Sequence, residues 1–232
     1  MKFIYCKGGN KPAPRIAKAG GADYGIRGDY TPYERSLMID YDFHSEPTEQ
    51  KWLKFLAVVR EHRPDMALIP DYFAHVEKVV MLRQIEDVRK AGARRVAVCP
   101  KFNGAVAHIP KECIVAVSIP TTYAGFMPLY GELIGRELHL LGGHPDQQAF
   151  CIFRRYAGLN IISADGNIAG YKAERGQFWD AAKNGWITTA KKSRDNFELA
   201  VTSVINTQTT LQTAPTRYIS KRVQRAAQLS MF

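Results

Sequence analysis

The sequence predicts an α/β fold: a TIM-type (β/α)8 barrel, irregular or reduced, followed by a basic and mostly helical C-terminal extension. Three observations lead there. Short, nearly continuous apolar runs alternate with helical patterns through most of the 232 residues, the pattern of strands buried on both faces and their crossovers. Chemistry-bearing residues recur where the runs end: Asp40, Asp71 and Lys101 lie 31 and 30 residues apart, and an eight-fold barrel of ~250 residues repeats about every 31. Polar or ionisable groups follow the runs rather than precede them, as at a barrel's active-site face. The rival is an open doubly wound sheet. It calls for a Gly-rich phosphate turn after the first strand, of which Gly8-Gly9-Asn10 is only a weak echo.

The strands are expected at Phe3–Tyr5, Ser36–Ile39, Met66–Ile69, Arg95–Cys99, Cys113–Val117, Glu137–Leu141 and Leu159–Ile162. The helix expected over Gln50–His62 carries Trp52, Leu53, Phe55, Leu56, Val58 and Val59 and stops at Pro64. That over Phe73–Ala91 carries Val76, Val79, Val80, Leu82, Ile85 and Val88 and stops at Gly92. Shorter helices are expected at Pro128–Ile134 and Asp146–Tyr156. After Gly170 the rhythm ends. Residues 1–176 form the expected barrel, and 177–232 the extension. In the extension Gln177–Asn184, Asp195–Asn206 and Arg217–Leu229 read as helices, and Thr207–Thr216 as a polar, turn-rich break.

Composition narrows the class. Apolar residues are 46% and charged residues 23%, which excludes a disordered or collagen-like chain. No apolar run approaches a membrane span, and Met1–Cys6 turns polar too quickly for a signal peptide. Cys6, Cys99, Cys113 and Cys151 are scattered, and no Cys/His set has metal-ligand spacing, so no disulfide framework, no metal and no cofactor are expected. A cytoplasmic location fits. Lys plus Arg number 32 against 22 Asp plus Glu, a net charge of +10, which favours a polyanionic partner. The excess sits at the ends. Lys191, Lys192, Arg194, Arg217, Lys221, Arg222 and Arg225 near the C-terminus are candidates to hold a nucleic-acid backbone.

Three acidic positions can do chemistry: Asp40 with Asp42, Asp71, and Asp165. At strand ends such carboxylates can serve as nucleophile, general base or acceptor of paired N–H donors. Each also has a plainer reading. Asp165-Gly166 suits a turn, Asp71 can cap the helix from Phe73, and Asp40 can cap its loop. Gly142-Gly143 and Ala124-Gly125 allow close approach of a flat ligand or simply a tight turn. Lys101 can be a phosphate contact, a shifted amine or a solvated group. Tyr123 can stack on a base or pack in the core.

Two stretches are more specific: Glu137-Leu-His-Leu-Leu-Gly-Gly-His-Pro-Asp-Gln-Gln148 and Ile161-Ile-Ser-Ala-Asp-Gly-Asn-Ile-Ala169. With Val98-Cys-Pro-Lys101 and Ser118-Ile-Pro-Thr-Thr-Tyr-Ala-Gly125, the sequence from Tyr24 to Trp179 resembles the small phage-encoded DNA-guanine transglycosylases. These are distant relatives of the tRNA-guanine transglycosylases that install queuine and archaeosine. The resemblance implies base exchange in a TIM-type barrel. By strand order it puts the nucleophile that attacks C1′ on Asp165, and the general base on Asp40 with Asp42 as close rival. The carboxylate that grips the guanine edge falls on Asp71, and the glycine-rich turn that offers an amide to the base falls near Thr121–Gly125. Lys101, Ser118, Tyr123, Gly125, Gly142, Gly143 and Asn167 are then further base-binding candidates. The Cys3His zinc set and the long insertions of the tRNA enzymes are absent from the sequence. The implied partners are therefore double-stranded DNA and a 7-deazaguanine base such as preQ0. The same exchange on tRNA, a non-catalytic nucleic-acid-binding barrel, and a hydrolase acting on a small sugar are the alternatives.

Overall fold

A computed structural model describes residues 1–6, 12–30, 34–41, 48–120, 125–189, 193 and 196–229, with side chains described as far as Thr213. Eight parallel strands close a barrel in sequence order: β1 (Lys2–Cys6), β2 (Asp23–Arg27), β3 (Met38–Asp40), β4 (Met66–Leu68), β5 (Arg95–Val98), β6 (Ile114–Ser118), β7 (Glu137–Leu141) and β8 (Asn160–Gly166). The expected TIM-type fold is the observed one, in reduced form. Helices α1 (Pro12–Ala19), α2 (Glu49–His62), α3 (Lys78–Ala91), α4 (Pro145–Phe150) and α5 (Ile168–Ala173) follow β1, β3, β4, β7 and β8. Single 3-10 turns at Ala105–His108 and Tyr130–Leu133 replace the helices after β5 and β6.

Side-chain alternation along the strands makes two cores. Ile4, Met38, Met66, Leu68, Ala97, Cys99, Ile114 and Ala116 fill the barrel interior. Their strand neighbours, among them Tyr5, Ile39, Ala67, Val96, Val115 and Leu138, face the helices. Helix α2 starts where the Thr48 hydroxyl accepts the Lys51 amide at 3.3 Å, and it docks through Phe55 and Val59. Helix α3 buries Met81, Ile85, Val88 and Ala91, spaced for one face, and ends at Gly92 with φ of 105°. Where the β5–β6 connection lacks a helix, Arg136 substitutes for it. Its guanidinium donates to the carbonyls of Val106, Ile109, Pro110 and Cys113.

Four expectations are corrected. Helix α3 begins at Lys78, not Phe73, and its Val79, Val80 and Leu82 are exposed. The Asp146–Tyr156 helix is α4 continued by one π-turn, Cys151–Arg155. Gln177–Asn184 is not a helix: β9 (Gln177–Asp180) and β10 (Gly185–Thr188) pair as an antiparallel hairpin. Asp180 Oδ1 accepts the amides of Ala182 and Lys183, and Asn184 takes φ of 52°, local bonding that makes a turn and withholds the residues from a helix. The fourth concerns Thr207–Thr216, which is no break. One helix, α6, runs Phe197–Leu229. Thr209, Thr210 and Thr213 each donate a hydroxyl to the carbonyl four residues back, so the polar side chains cost the helix little.

The extension is docked on the barrel. Within it, Trp179, 2% exposed, donates its amide to Ser203 Oγ and its indole N–H to Thr210 Oγ1 on α6, and Asn196 Nδ2 donates to the Ala173 carbonyl at the end of α5. Gln208 Nε2 reaches the Gly20 carbonyl beyond α1 at 2.6 Å. Among the described residues no helix is long and apolar enough to cross a membrane.

Candidate active site

The interior positions at the carboxyl ends of the strands carry the ionisable groups. Alternation puts Cys6 two residues beyond Ile4, Asp40 two beyond Met38, Cys99 two beyond Ala97 and Asp165 two beyond Ser163, all inward at the barrel mouth. Past the formal ends of β4 and β5 the pairing continues: Tyr72 N bonds Cys99 O at 2.9 Å and Lys101 N bonds Tyr72 O at 3.0 Å. That extra rung sets Asp71 beside Lys101, whose Nζ lies 3.1 Å from Asp71 Oδ2, with side chains 19% and 7% exposed. Neither plainer reading holds for this pair. Asp71 caps no helix, since Glu77 precedes α3, and Lys101 is buried.

Electrostatics tie the groups together. Burial, and after it the charges of Asp165 and Asp71, push the Asp40 carboxyl well above the ordinary carboxylate range, against the opposing pull of Arg27 and Lys101. Burial and the same acidic neighbourhood, Asp165 and then Asp40, raise the Cys6 thiol. Burial and then Asp71 raise that of Cys99. For Lys101 burial opposes the charge, but Cys99 and Asp71 outweigh it and hold the ammonium above the usual lysine range. The three expected carboxylates Asp40, Asp71 and Asp165 are thus brought to one mouth.

Asp165 sits within β8 rather than in a turn. Its Oδ1 accepts the Gly142 amide at 2.8 Å. The Gly142-Gly143 turn, with φ of 67° and 85°, is what aims that amide. Gln148, 1% exposed, staples turn to strand by donating Nε2 to the carbonyls of Gly142 and Asp165 at 2.9 and 2.5 Å. Gln147 Oε1 accepts the His144 amide at 2.8 Å, and Pro145 opens α4. The distinctive Gly142–Gln148 stretch is therefore the scaffold that fixes Asp165.

Other expected residues fall differently. Ser118 is buried at the end of β6, and Gly125 is glycine because a Cβ there would lie 2.3 Å from Pro120 Cα. Asn167 is exposed ahead of α5. Among the described residues none of the three bonds to the carboxylate cluster. Asp42, Tyr123, Lys191, Lys192 and Arg194 lie outside the described residues. Arg217, Lys221, Arg222 and Arg225 fall on α6 where only the backbone is described.

Three contributors escape sequence reading. Arg27, at the end of β2, is gripped by Asp29 through two bonds of 2.8 and 2.6 Å and lies 5.0 Å from the Tyr30 ring centroid. His139, fully buried on β7, holds Ser163 Oγ at 2.9 Å through Nδ1 and places Nε2 3.4 Å from Asp165 Oδ1. Trp186 on β10 donates to His144 Nδ1 at 3.2 Å, with Lys172 Nζ 5.5 Å from its ring centroid. The signal for Arg27 was an inward position on a strand whose Gly25 hid it. For His139 it was shared parity with Asp165, which a bulge between Leu138 and His139 obscures. Among the described residues no group of three or more His, Cys, Asp or Glu could hold a metal ion.

A closed parallel barrel whose ionisable side chains gather at the carboxyl ends of its strands defines an α/β-barrel protein with a candidate active site at the usual face. The chain belongs to the family described as "Family of unknown function (DUF6610)", whose model matches residues 17–212. That span runs from the end of α1 through the rest of the barrel and the docked hairpin into the first half of α6. A comparison with curated proteins finds no match.

Proposed function

We propose that the protein is a transglycosylase that exchanges guanine in DNA for a 7-deazaguanine base such as preQ0. The observation that carries the reading is the meeting of Asp40, Asp71 and Asp165 at one mouth in three different environments. Asp165 is held at Oδ1 by an amide N–H, Asp71 is paired with Lys101, and burial with acidic neighbours pushes Asp40 toward keeping its proton. A second carboxyl group beside one that keeps its proton suits glycosidic-bond chemistry.

In the proposed reaction Asp165 Oδ2 attacks C1′ of the target nucleoside. The C1′–N9 bond breaks, its electron pair goes to the guanine, and Asp40 gives up its proton to the leaving base. The incoming 7-deazaguanine then loses its N9 proton to Asp40, its N9 attacks C1′, and the Asp165 carboxylate leaves. Asp71 accepts N1–H and N2–H of the base on one edge. The net charge of +10 supports a nucleic-acid substrate. Duplex DNA requires the target base to be flipped out, costing a few kcal/mol.

The test is incorporation of radiolabelled guanine or preQ0 into duplex DNA and tRNA in parallel. Label in DNA, abolished by Asp165→Asn with DNA binding retained, is the expected result. Label in tRNA alone would move the substrate to tRNA, and label in neither would refute exchange.

A further inference from the structure

The mouth rests on a polar chain inside the barrel that the exchange reaction does not use. His139 and Ser163 are register partners across β7 and β8, with side chains 0% and 5% exposed. The pairing skips Ile162: Leu138 faces Ile161, and His139 faces Ser163. A bulge costs ladder regularity and re-aims side chains. Here the extra residue lies in β8, and it brings Ser163 rather than Ile162 opposite the inward-facing imidazole, one layer below Asp165. A histidine in the dry interior otherwise filled by Ile4, Met38, Ile114 and Ala116 is costly unless both ring nitrogens are used.

We propose that His139 is a positioning residue for Asp165, set in its Nε2–H form by the Ser163 hydroxyl. This rests on the transglycosylase reading for its catalytic consequence, though not for its structural content. The tautomer follows from the neighbours. Nε2 faces a carboxylate oxygen at 3.4 Å; a bare nitrogen there would set lone pair against lone pair, so Nε2 carries a hydrogen. In that tautomer Nδ1 is an acceptor, and the Ser163 hydroxyl donates to it across 2.9 Å. At 3.4 Å the Nε2 contact lies outside hydrogen-bond geometry in the free protein, and such contacts commonly tighten once substrate is bound.

The choice of oxygen gives the arrangement its use. The Gly142 amide and the His139 ring both address Oδ1. Among the described residues neither contact engages Oδ2, so the carboxylate is held by one oxygen and offers the other to the mouth. When C1′ bonds to Oδ2, Oδ1 becomes the carbonyl of an ester. When the sugar leaves, negative charge returns to the carboxylate, and Nε2–H stabilises it. The charge stabilisation therefore falls on losing the covalent bond, and the fixed orientation of Oδ2 on forming it; neither falls on holding the base.

The experiment has two arms on the full-length protein. In the first, nitrogen NMR of histidine-labelled protein reads the His139 ring, assigned by its loss in His139→Gln. A protonated Nε2 and an acceptor Nδ1, with the Nδ1 resonance moved by Ser163→Ala and the Nε2 resonance moved by Asp165→Asn, are expected. A bare Nε2, or a ring indifferent to Asp165→Asn, overturns the proposal even if the protein exchanges no base. In the second arm, His139→Leu should lower kcat for exchange on the order of 100-fold with KM for the incoming base unchanged. His139→Gln, which keeps an N–H donor, should restore most of it. Where His139→Leu does not fold, Ser163→Ala replaces it and should lower kcat about 10-fold, again with KM unchanged. A folded variant with wild-type kcat, or a loss confined to KM, overturns the positioning role. A wild-type protein without exchange refutes the transglycosylase reading alone and leaves the first arm to decide this one.

Discussion

Gly142 and Gly143 offer a paired test of how the turn that serves Asp165 is built. Both have positive φ, 67° and 85°, so alanine at either position pays the left-handed penalty of about 1–2 kcal/mol, offset in part by a less flexible unfolded chain. Their surroundings differ. A Cβ on Gly142 meets nothing within 4 Å, whereas one on Gly143 would lie 2.7 Å from Ile119 Cγ2 and 3.0 Å from its Cβ. Ile119 is 2% exposed and packed in the shell core, so it cannot simply swing aside. Overpacking adds about 1–3 kcal/mol. Gly142→Ala should then cost about 1 kcal/mol and Gly143→Ala about 2–4 kcal/mol. For a chain of this size each kcal/mol lowers Tm by about 2–4 °C. Calorimetry or thermal circular dichroism on both variants reads the difference. Ile119→Ala removes the clashing methyl, so in the double variant with Gly143→Ala the two losses should be less than additive. Equal Tm losses at the two glycines, or strict additivity with Ile119→Ala, would show that steric crowding against Ile119 is not what demands glycine.

Asp40→Asn should change how stability depends on pH. The folded carboxyl is raised above its ordinary value of 3.8, so its contribution is full below that value and is lost as pH rises toward the folded pKa. Urea unfolding from pH 4 upward should show wild type losing up to about 1.4 kcal/mol per pH unit relative to the variant; a flat or opposite difference contradicts the burial of a protonated Asp40. Lys101→Met leaves Asp71 without its cation and should cost about 3 kcal/mol, while adding Asp71→Asn should recover part of it. Full additivity in chemical denaturation would mean that the 3.1 Å pair is not coupled. Gln148→Leu strands the carbonyls of Gly142 and Asp165 and should cost about 2–4 kcal/mol; faster amide exchange at Gly142 than in wild type would report the loosened turn, and unchanged exchange would refute the staple.

Much of the barrel was legible because strands buried on both faces need continuous apolar runs, and β3 through β8 have them. β2 was not, since Asp23-Tyr-Gly-Ile-Arg27 has charged ends and a central glycine. That glycine is a packing necessity: a Cβ on Gly25 would lie 2.8 Å from Ile4 Cγ2 inside the barrel. Helix α1 was hidden by Pro12 and Pro14, which lie in the first turn, where proline is tolerated. The hairpin is masked in the sequence because Phe178, Trp179, Ala181 and Ala182 mimic a helical stripe, while Asn184-Gly185 carries the stronger turn signal. In α3 Ile85 and Val88 belong to both the apolar stripe of the sequence and the buried face, but Val79, Val80 and Leu82 are exposed and Met81 and Ala91 complete the face. Periodicity identifies the helix, and only the side of the Ile85–Val88 line that packs inward is hidden, because both flanks carry apolar residues.

The site divides along the same line. Asp40, Asp71 and Asp165 could be found because polarity at the end of an apolar run is visible in one dimension. His139 and Gln148 could not, since their meaning lies in which atom they address on another strand. That division bears on how a basic chain would handle a polyanion under the proposed reading. With the proton on Asp40, the carboxylates of Asp29, Asp71 and Asp165 still outnumber Arg27 and Lys101, and Arg27 is gripped by Asp29 and Lys101 by Asp71. Such a mouth repels phosphate and welcomes a neutral base that presents N–H groups. Backbone contacts must therefore come from the rim and the chain ends, where the net charge of +10 is concentrated. Recognition of the base and attachment to the nucleic acid then depend on separate sets of residues. The acidic interior admits only what the basic periphery has delivered with its base turned out of the stack.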